Sequence, residues 1–457
     1  MDEDGRRLAG AGRRGYPERE EGRRRQLSGP DDGGSPGLLR GLGRFDATLL
    51  TINSIVGAGV LALPAGLALD AGRWSLAVVL LAFVVIGFMA LTLAEVASRF
   101  EVTGGPQVYA GIAFGPLTGF SVGWLFTVSR FASFALIAQV MFDYAAVLWP
   151  VLGEPLARAA GLTLYALVFG VLNLRGVRQA AWTGNLLTIA KLLPLVPIAL
   201  VGLWFAGWND LPASEPRAPD GLTDALQLAL FACFGFDVAA ILAGEMRNPR
   251  RDLPVSILAG LGVCCLLYLL VMLACFAVLE DTAASKLPLA DVAQAFLGPA
   301  GATIMAAAAV VSCLAGNLVQ LLVTPRNIYA LAEAGDLPRQ LLAVHPVWRT
   351  PHVAIVVYVV LAWLLAITGT FKYLLAIFVI ARMLAHGSTA AALIVLRRRD
   401  GPAPLPIPGG TVIAVLAIAA CLAIVATASW QAVRDVAIVL AVGFLLRAFV
   451  RRRVGPA

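Results

Sequence analysis

The stretch that decides the fold is Thr51-Ile52-Asn53-Ser54-Ile55-Val56-Gly57-Ala58-Gly59-Val60-Leu61-Ala62-Leu63-Pro64. It lies inside an apolar run from about residue 47 to residue 69, long enough to cross a bilayer as a helix. Two glycines, two small polar residues and a proline interrupt that run. A glycine in a helix interior costs about 1 kcal/mol relative to alanine. An anchoring helix gains nothing from Gly-Ala-Gly at mid-membrane. A helix built to break there does, because the backbone can unwind and the N–H groups of the second half can face a ligand. Broken helices occur at membrane depth only where they line a cavity or lie buried in protein. A second reading of the same glycines is close packing, since small residues let helix backbones touch.

The rest of the chain sets the context. Of the 457 residues, 59% are apolar, and the mean hydropathy is +0.83. That composition excludes an ordinary soluble protein and fits a polytopic membrane protein. A net charge of +7 would suggest nucleic acid in a soluble chain. Here no nucleic-acid partner is expected, because the placement of the bases matters more than their sum. The cysteines Cys233, Cys264, Cys265, Cys275, Cys313 and Cys421 all fall in apolar segments without a CxxC pair. They read as small core residues. His345, His352 and His386 have no metal-ligand spacing, so neither metal nor cofactor is expected. The first 40 residues are polar and rich in Gly, Arg and Glu, with no apolar signal-peptide core. They read as a disordered tail.

Apolar runs of spanning length fall at about 46–70, 74–98, 117–149, 157–174, 182–207, 222–244, 253–279, 300–333, 352–369, 372–396, 411–430 and 432–450. The expected fold is therefore all-α and polytopic, with twelve transmembrane helices and both termini on one side. Of the 35 basic residues, 26 fall on the N-terminal side of the bilayer, 6 on the other and 3 within helices. The positive-inside rule then makes the termini cytoplasmic. The intramembrane bases are Arg130, Lys191 and Arg382, and the acids are Glu95, Asp143 and Asp237. Charges at bilayer depth are costly, so each is a functional candidate that needs a partner.

The sixth run repeats the oddity of the first. Leu228 to Phe234 is apolar, Gly235 and Asp237 interrupt, and Val238-Ala239-Ala240-Ile241-Leu242 resumes. These two runs each open a block of five. Interrupted helices at matching positions of two halves point to a transporter site.

Four stretches together carry a family resemblance. They are Ile55 to Val60; Gly104-Gly105-Pro106-Gln107-Val108-Tyr109-Ala110 with Ala113 to Phe120; Phe234-Gly235-Phe236-Asp237 with Gly244 to Pro254; and Pro325 to Ala332 with Gly335-Asp336-Leu337-Pro338. The chain resembles bacterial amino acid permeases of the amino acid–polyamine–organocation superfamily over about residues 44–400. The resemblance implies a LeuT-like fold, two inverted five-helix repeats with helices 1 and 6 broken. It divides the chain into a tail over 1–43, a first repeat over 44–207, a second over 208–400, and helices 11 and 12 with a short cytoplasmic C-terminus over 401–457. Gln107 stands where the family often has Tyr, in a loop away from the site.

The resemblance also implies site roles. The substrate carboxylate would meet the N–H groups of Gly57, Ala58 and Gly59, with Ala58 offering no hydroxyl where some relatives have Ser. The amine would meet carbonyls of Ile55, Phe231, Ala232 and Phe234, beside Gly235 at the second break. Half-helix ends supply the matching partial charges. Phe231 would gate the substrate or else pack as core. Asp237 would cap the second half of helix 6 or act as a proton-sensitive gate. Lys191 matches a lysine that some proton-coupled relatives hold where sodium-coupled relatives hold Na⁺. A buried lysine can exchange protons near neutrality; otherwise it is a charged strut on helix 1 carbonyls. Arg130 keeps its proton and needs an acid, a carbonyl or the substrate, with Asp237 as the expected partner. Arg382 reads as structural. The loop cluster Glu245, Arg247, Arg250 and Arg251 reads as a topology and gate-closing feature.

These expectations describe a secondary active transporter in the plasma membrane, monomeric or homodimeric. It would import amino acids, neutral ones by expectation, by proton symport with alternating access. An amino acid or polyamine exchanger is the near alternative, and a non-transporting amino acid sensor the more distant one. An intramembrane enzyme finds no support, since no HExxH, paired Asp-rich motif or Ser/His/Asp set occurs within the helices.

Overall fold

The computed structural model describes residues 43–100, 105–175, 191–201, 204, 221–241, 246 and 248–454. Among these, regular structure is helical and no strand forms. The helices are α1 (Arg44–Ile55), α2 (Ala58–Asp70), α3 (Ser75–Ala97), α4 (Pro106–Phe114), α5 (Pro116–Leu148) and α6 (Pro155–Arg175). They continue with α7 (Lys191–Val201), α8 (Gly221–Cys233), α9 (Val238–Ile241), α10 (Pro249–Val278), α11 (Pro288–Leu297) and α12 (Pro299–Glu333). The last are α13 (His352–Thr368), α14 (Phe371–Asp400), α15 (Gly410–Thr427) and α16 (Trp430–Val454).

Eight helices among the described residues are long and apolar enough to cross a membrane, and α1 with α2, bent by 48°, makes a ninth span. Each apolar run of the sequence that is described carries helix. The 182–207 run is described only over 191–201 and at 204, and 242–244 of the sixth run lie outside the described residues. So do Glu245 and Arg247 of the cytoplasmic loop cluster.

Two helices are too short to span and were not expected: α4 and α11. Glycine and proline set their limits. Gly105, Gly115 and Gly298 have φ of 63°, 96° and 64°. A proline opens the next helix after each, where its missing N–H would have no intrahelical acceptor anyway.

The α1–α2 bend positions everything else. Down the length of α2, backbone approaches α8. A Cβ on Gly59 would lie 2.7 Å from Ala232 Cβ, and one on Gly66 or Gly221 would collide with Leu228 or the Asp70 carbonyl. Small residues here allow the two helices to touch. At the far end of α2, Lys372 Nζ lies 2.8 Å from Asp224 Oδ2 and 3.4 Å from Asp70 Oδ1, tying α2, α8 and α14. At the opposite end of α3, Arg397 forks onto both oxygens of the fully buried Glu95 at 2.6 Å each. Glu95 also accepts from the Ile407 N–H at 3.0 Å. Asp143, expected within the membrane, is half-exposed and paired with Arg158 at 2.6 Å.

Candidate functional site

The two breaks meet. Gly235 has φ 130°, a conformation L side chains rarely adopt, and a Cβ there would lie 2.6 Å from the Ser54 carbonyl carbon and 2.9 Å from the Ile55 nitrogen. It is glycine because the second break touches the first. Gly57 is different. It is the N-cap of α2 at φ −154° and ψ −147°, outside the left-handed region, and a Cβ on it would meet nothing within 4 Å. Thus the two readings of Gly-Ala-Gly divide between residues two apart: Gly59 is small for packing, whereas Gly57 faces open space.

That space is a cavity of about 130 Å³. Ile55, Gly57, Ala58, Gly59, Phe231, Phe234 and Gly235 line it, as do Arg130, Lys191 and Asp237. Ala232 does not; it lies behind the wall against Gly59. The first N–H groups of α2 have no intrahelical acceptor, and no side chain caps them. Phe231 is buried and sets its ring edge-on to Phe378, with centroids 5.1 Å apart, so it is both cavity wall and core.

Lys191 reaches from α7 to the last turn of α1. Its Nζ donates to the carbonyls of Asn53 at 2.6 Å and Val56 at 2.9 Å. Carbonyls at a helix C-terminus lack intrahelical donors and carry partial negative charge, which an ammonium satisfies. Both readings of this lysine require that contact.

The acid and the arginines pair differently from expectation. Asp237 does not pair with Arg130. Its Oδ2 accepts from Arg382 Nη1 at 2.9 Å, with both side chains buried. The Arg382 guanidinium also lies 4.6 Å from the Phe126 ring and 5.6 Å and 5.5 Å from those of Phe234 and Phe378. Such stacking suits a planar, delocalised cation. Arg382 is therefore a wall of the cavity as well as a strut. Nor does the Asp237 carboxylate cap α9: its second oxygen has no partner. Arg130, 5% exposed, donates instead to Gln320 Oε1 at 2.8 Å, and Gln320 Nε2 donates to Ser133 Oγ at 3.0 Å.

Several site residues escaped the sequence reading. Tyr268 on α10 places its hydroxyl 3.0 Å from the Ile55 carbonyl and 2.9 Å from that of Ala232, bridging the two breaks. Two of the carbonyls expected to hold a substrate amine thus share one hydroxyl hydrogen. Gln320, Ser133 and Ser312 also line the cavity. His386, fully buried with neither ring nitrogen bonded, sits against Phe234 and Phe236. A polar residue every few positions on α12 was the available signal for Ser312 and Gln320. Nothing local marks Tyr268.

An all-helical bundle with two broken helices meeting at a buried, charged cavity is an architecture for moving a solute through a membrane. Residues 42–445 match the family model described as amino acid permease. The chain is 31% identical over 324 residues to an uncharacterized transporter of Mycobacterium tuberculosis, covering 69% of this chain and 70% of that protein. It is 28% identical over 433 residues to the branched-chain amino acid permease BcaP of Bacillus subtilis, covering 90% and 93%. It is 28% identical over 378 residues to the serine/threonine exchanger SteT of Bacillus subtilis, covering 79% and 84%. The chain belongs to the amino acid permease family and is a multi-pass membrane transport protein.

Proposed function

We propose that this chain is a secondary active transporter that imports amino acids across the plasma membrane by proton symport with alternating access. The observation that carries the reading is the opening of α2: its unbonded N–H groups, at Gly57 to Gly59, border a buried cavity at a break in a membrane helix. A half-helix N-terminus offers partial positive charge to a carboxylate. The adjoining C-terminal ends of α1 and α8 offer carbonyls to an amine. The Tyr268 hydroxyl lies within reach of those of Ile55 and Ala232, but its one hydrogen is shared between them and each carbonyl oxygen keeps a lone pair for an amine.

Lys191 favours protons over sodium as the coupled ion. Its ammonium holds the Asn53 and Val56 carbonyls, the kind of oxygens a sodium ion at this break would need. Loss of the proton would release the C-terminus of α1 and favour the other access state. We read the bundle as twelve spans in two inverted five-helix repeats followed by two further helices, with cytoplasmic termini on the side that gathers 26 of the 35 bases. Exchange is the second reading, favoured by the likeness to a serine/threonine exchanger.

Uptake into proteoliposomes tests the proposal. An inward proton gradient in choline medium should drive accumulation of labelled amino acids, and an uncoupler should collapse it. A strict need for sodium would refute proton coupling. Uptake only into vesicles preloaded with amino acid would replace symport with exchange.

A further inference from the structure

The charges around the cavity do not cancel. Arg130, Lys191, Arg382 and Asp237 all line it, three bases against one acid. Two of the bases are compensated. Arg382 has Asp237 at 2.9 Å, and Lys191 has two carbonyls at the C-terminal end of α1. Arg130 hydrogen-bonds only the neutral Gln320 amide, through one of its nitrogens, and feels the one acid, Asp237, without contact and in competition with Arg382. No carboxylate among the described residues pairs with it. Its remaining nitrogens carry no hydrogen bond, and the residue borders the cavity. The residue is nonetheless 95% buried, at 5% exposure.

A guanidinium cannot shed its proton. Burying it without a counter-charge is costly, and removing one partner of a buried ion pair is strongly destabilising. A site that keeps such a group beside open space is completed by an anion from outside the chain. A carboxylate is the best geometric match, since it accepts two parallel bonds from the guanidinium fork. The α2 N-terminus already offers a place for an α-carboxylate. Arg130 stands on another element, on α5 beside Ser133 and Gln320, and would serve a second anionic group.

We propose that the cavity selects amino acids with a carboxylate side chain, and that Arg130 is the residue that reads it. This rests on the amino acid transport reading above and replaces the expected neutral substrate. Cationic side chains would meet a net positive lining and be rejected.

The test uses the purified full-length protein. Thermal stabilisation is titrated with L-aspartate, L-glutamate, their isosteres L-asparagine and L-glutamine, L-lysine, and glutarate, which lacks the amine. Stabilisation by a ligand follows its occupancy of the folded state. The expected result is half-maximal stabilisation at concentrations about tenfold lower or more for the acids than for the amides, as a charge-assisted bidentate contact would give. L-Lysine should give none. Arg130→Gln should bring acids and amides to parity while amide binding persists. Gln320→Glu, which puts a carboxylate within hydrogen-bond reach of Arg130, should do the same by filling the place of the ligand's side chain.

Equal stabilisation by acids and amides in the unaltered protein would overturn the inference alone and leave the transporter reading standing. So would Arg130→Gln losing acids and amides together, since Arg130 would then read the α-carboxylate. Glutarate acting as well as L-glutamate would overturn an amino acid as the ligand. Stabilisation by none of these compounds would overturn the inference and leave the amino acid transport reading to the uptake assay above. If neither variant yields folded protein, the acid-to-amide ratio of the unaltered protein decides by itself.

Discussion

Gly57 and Gly235 mark the two breaks, and the structure predicts opposite consequences for substituting them. At Gly235, alanine meets two penalties. The φ of 130° is a conformation that side chains rarely adopt, with a cost of roughly 1–3 kcal/mol. The added methyl would also sit within 2.6 Å of the Ser54 carbonyl carbon. That is rigid backbone, and overpacking of this kind costs roughly 1–3 kcal/mol more. The sum, about 2–6 kcal/mol, is a large part of the 5–15 kcal/mol that typical domains have. Gly235→Ala should therefore lower the thermal midpoint by several degrees and abolish uptake, because the two breaks are pushed apart. At Gly57 φ is −154°, outside the left-handed region, and a Cβ has nothing within 4 Å. Gly57→Leu should insert, fold and melt near the unaltered protein, yet lose uptake because the side chain fills the cavity. The assay pairs size-exclusion and thermal melting in detergent with uptake in vesicles. Gly235→Ala with an unchanged melt and normal uptake would refute the contact between the breaks. Normal uptake by Gly57→Leu would refute the cavity as the substrate's place.

Three further outcomes follow from the same geometry. Lys191→Ala removes two charge-assisted bonds to α1, each worth roughly 1.5–3 kcal/mol; concentrative uptake should be lost while binding or exchange survives, and a variant that still accumulates substrate with unchanged pH dependence would make Lys191 only a strut. Asp237→Asn leaves Arg382 buried without a counter-charge and should cost about 3–5 kcal/mol; adding Arg382→Met should recover part of that in thermal melts, and simple additivity of the two losses would show that the pair is not coupled. Tyr268→Phe deletes one hydroxyl that bridges the Ile55 and Ala232 carbonyls; bonds of this kind in membrane proteins are worth about 0.6–2 kcal/mol, so a small fall in thermal midpoint with a larger fall in uptake is expected, and unchanged uptake would mean the bridge does not hold the breaks.

The sequence by itself determined the membrane class, the long apolar helices among the described residues and the two interruptions, because these are one-dimensional properties. Apolar length against bilayer thickness, and glycine within an apolar run, can be read without knowing any neighbour. It also marked Lys191, Asp237 and Arg130, since a charge within a spanning run stands out whatever it touches. Only the tertiary structure decided what those groups do. Asp237 chose Arg382, 145 residues away, over Arg130, because pairing depends on the rotational setting of α5, the α8–α9 break and α14 around one cavity, and no local pattern encodes three such angles together. Tyr268 was invisible for the same reason: in an apolar run of α10 it reads as one more aromatic, and only the meeting of the two breaks gives its hydroxyl two carbonyls. The division of labour between Gly57 and Gly59 is the finest case. The residues are identical and two positions apart, and what separates them is that one has Ala232 against it and the other has empty space.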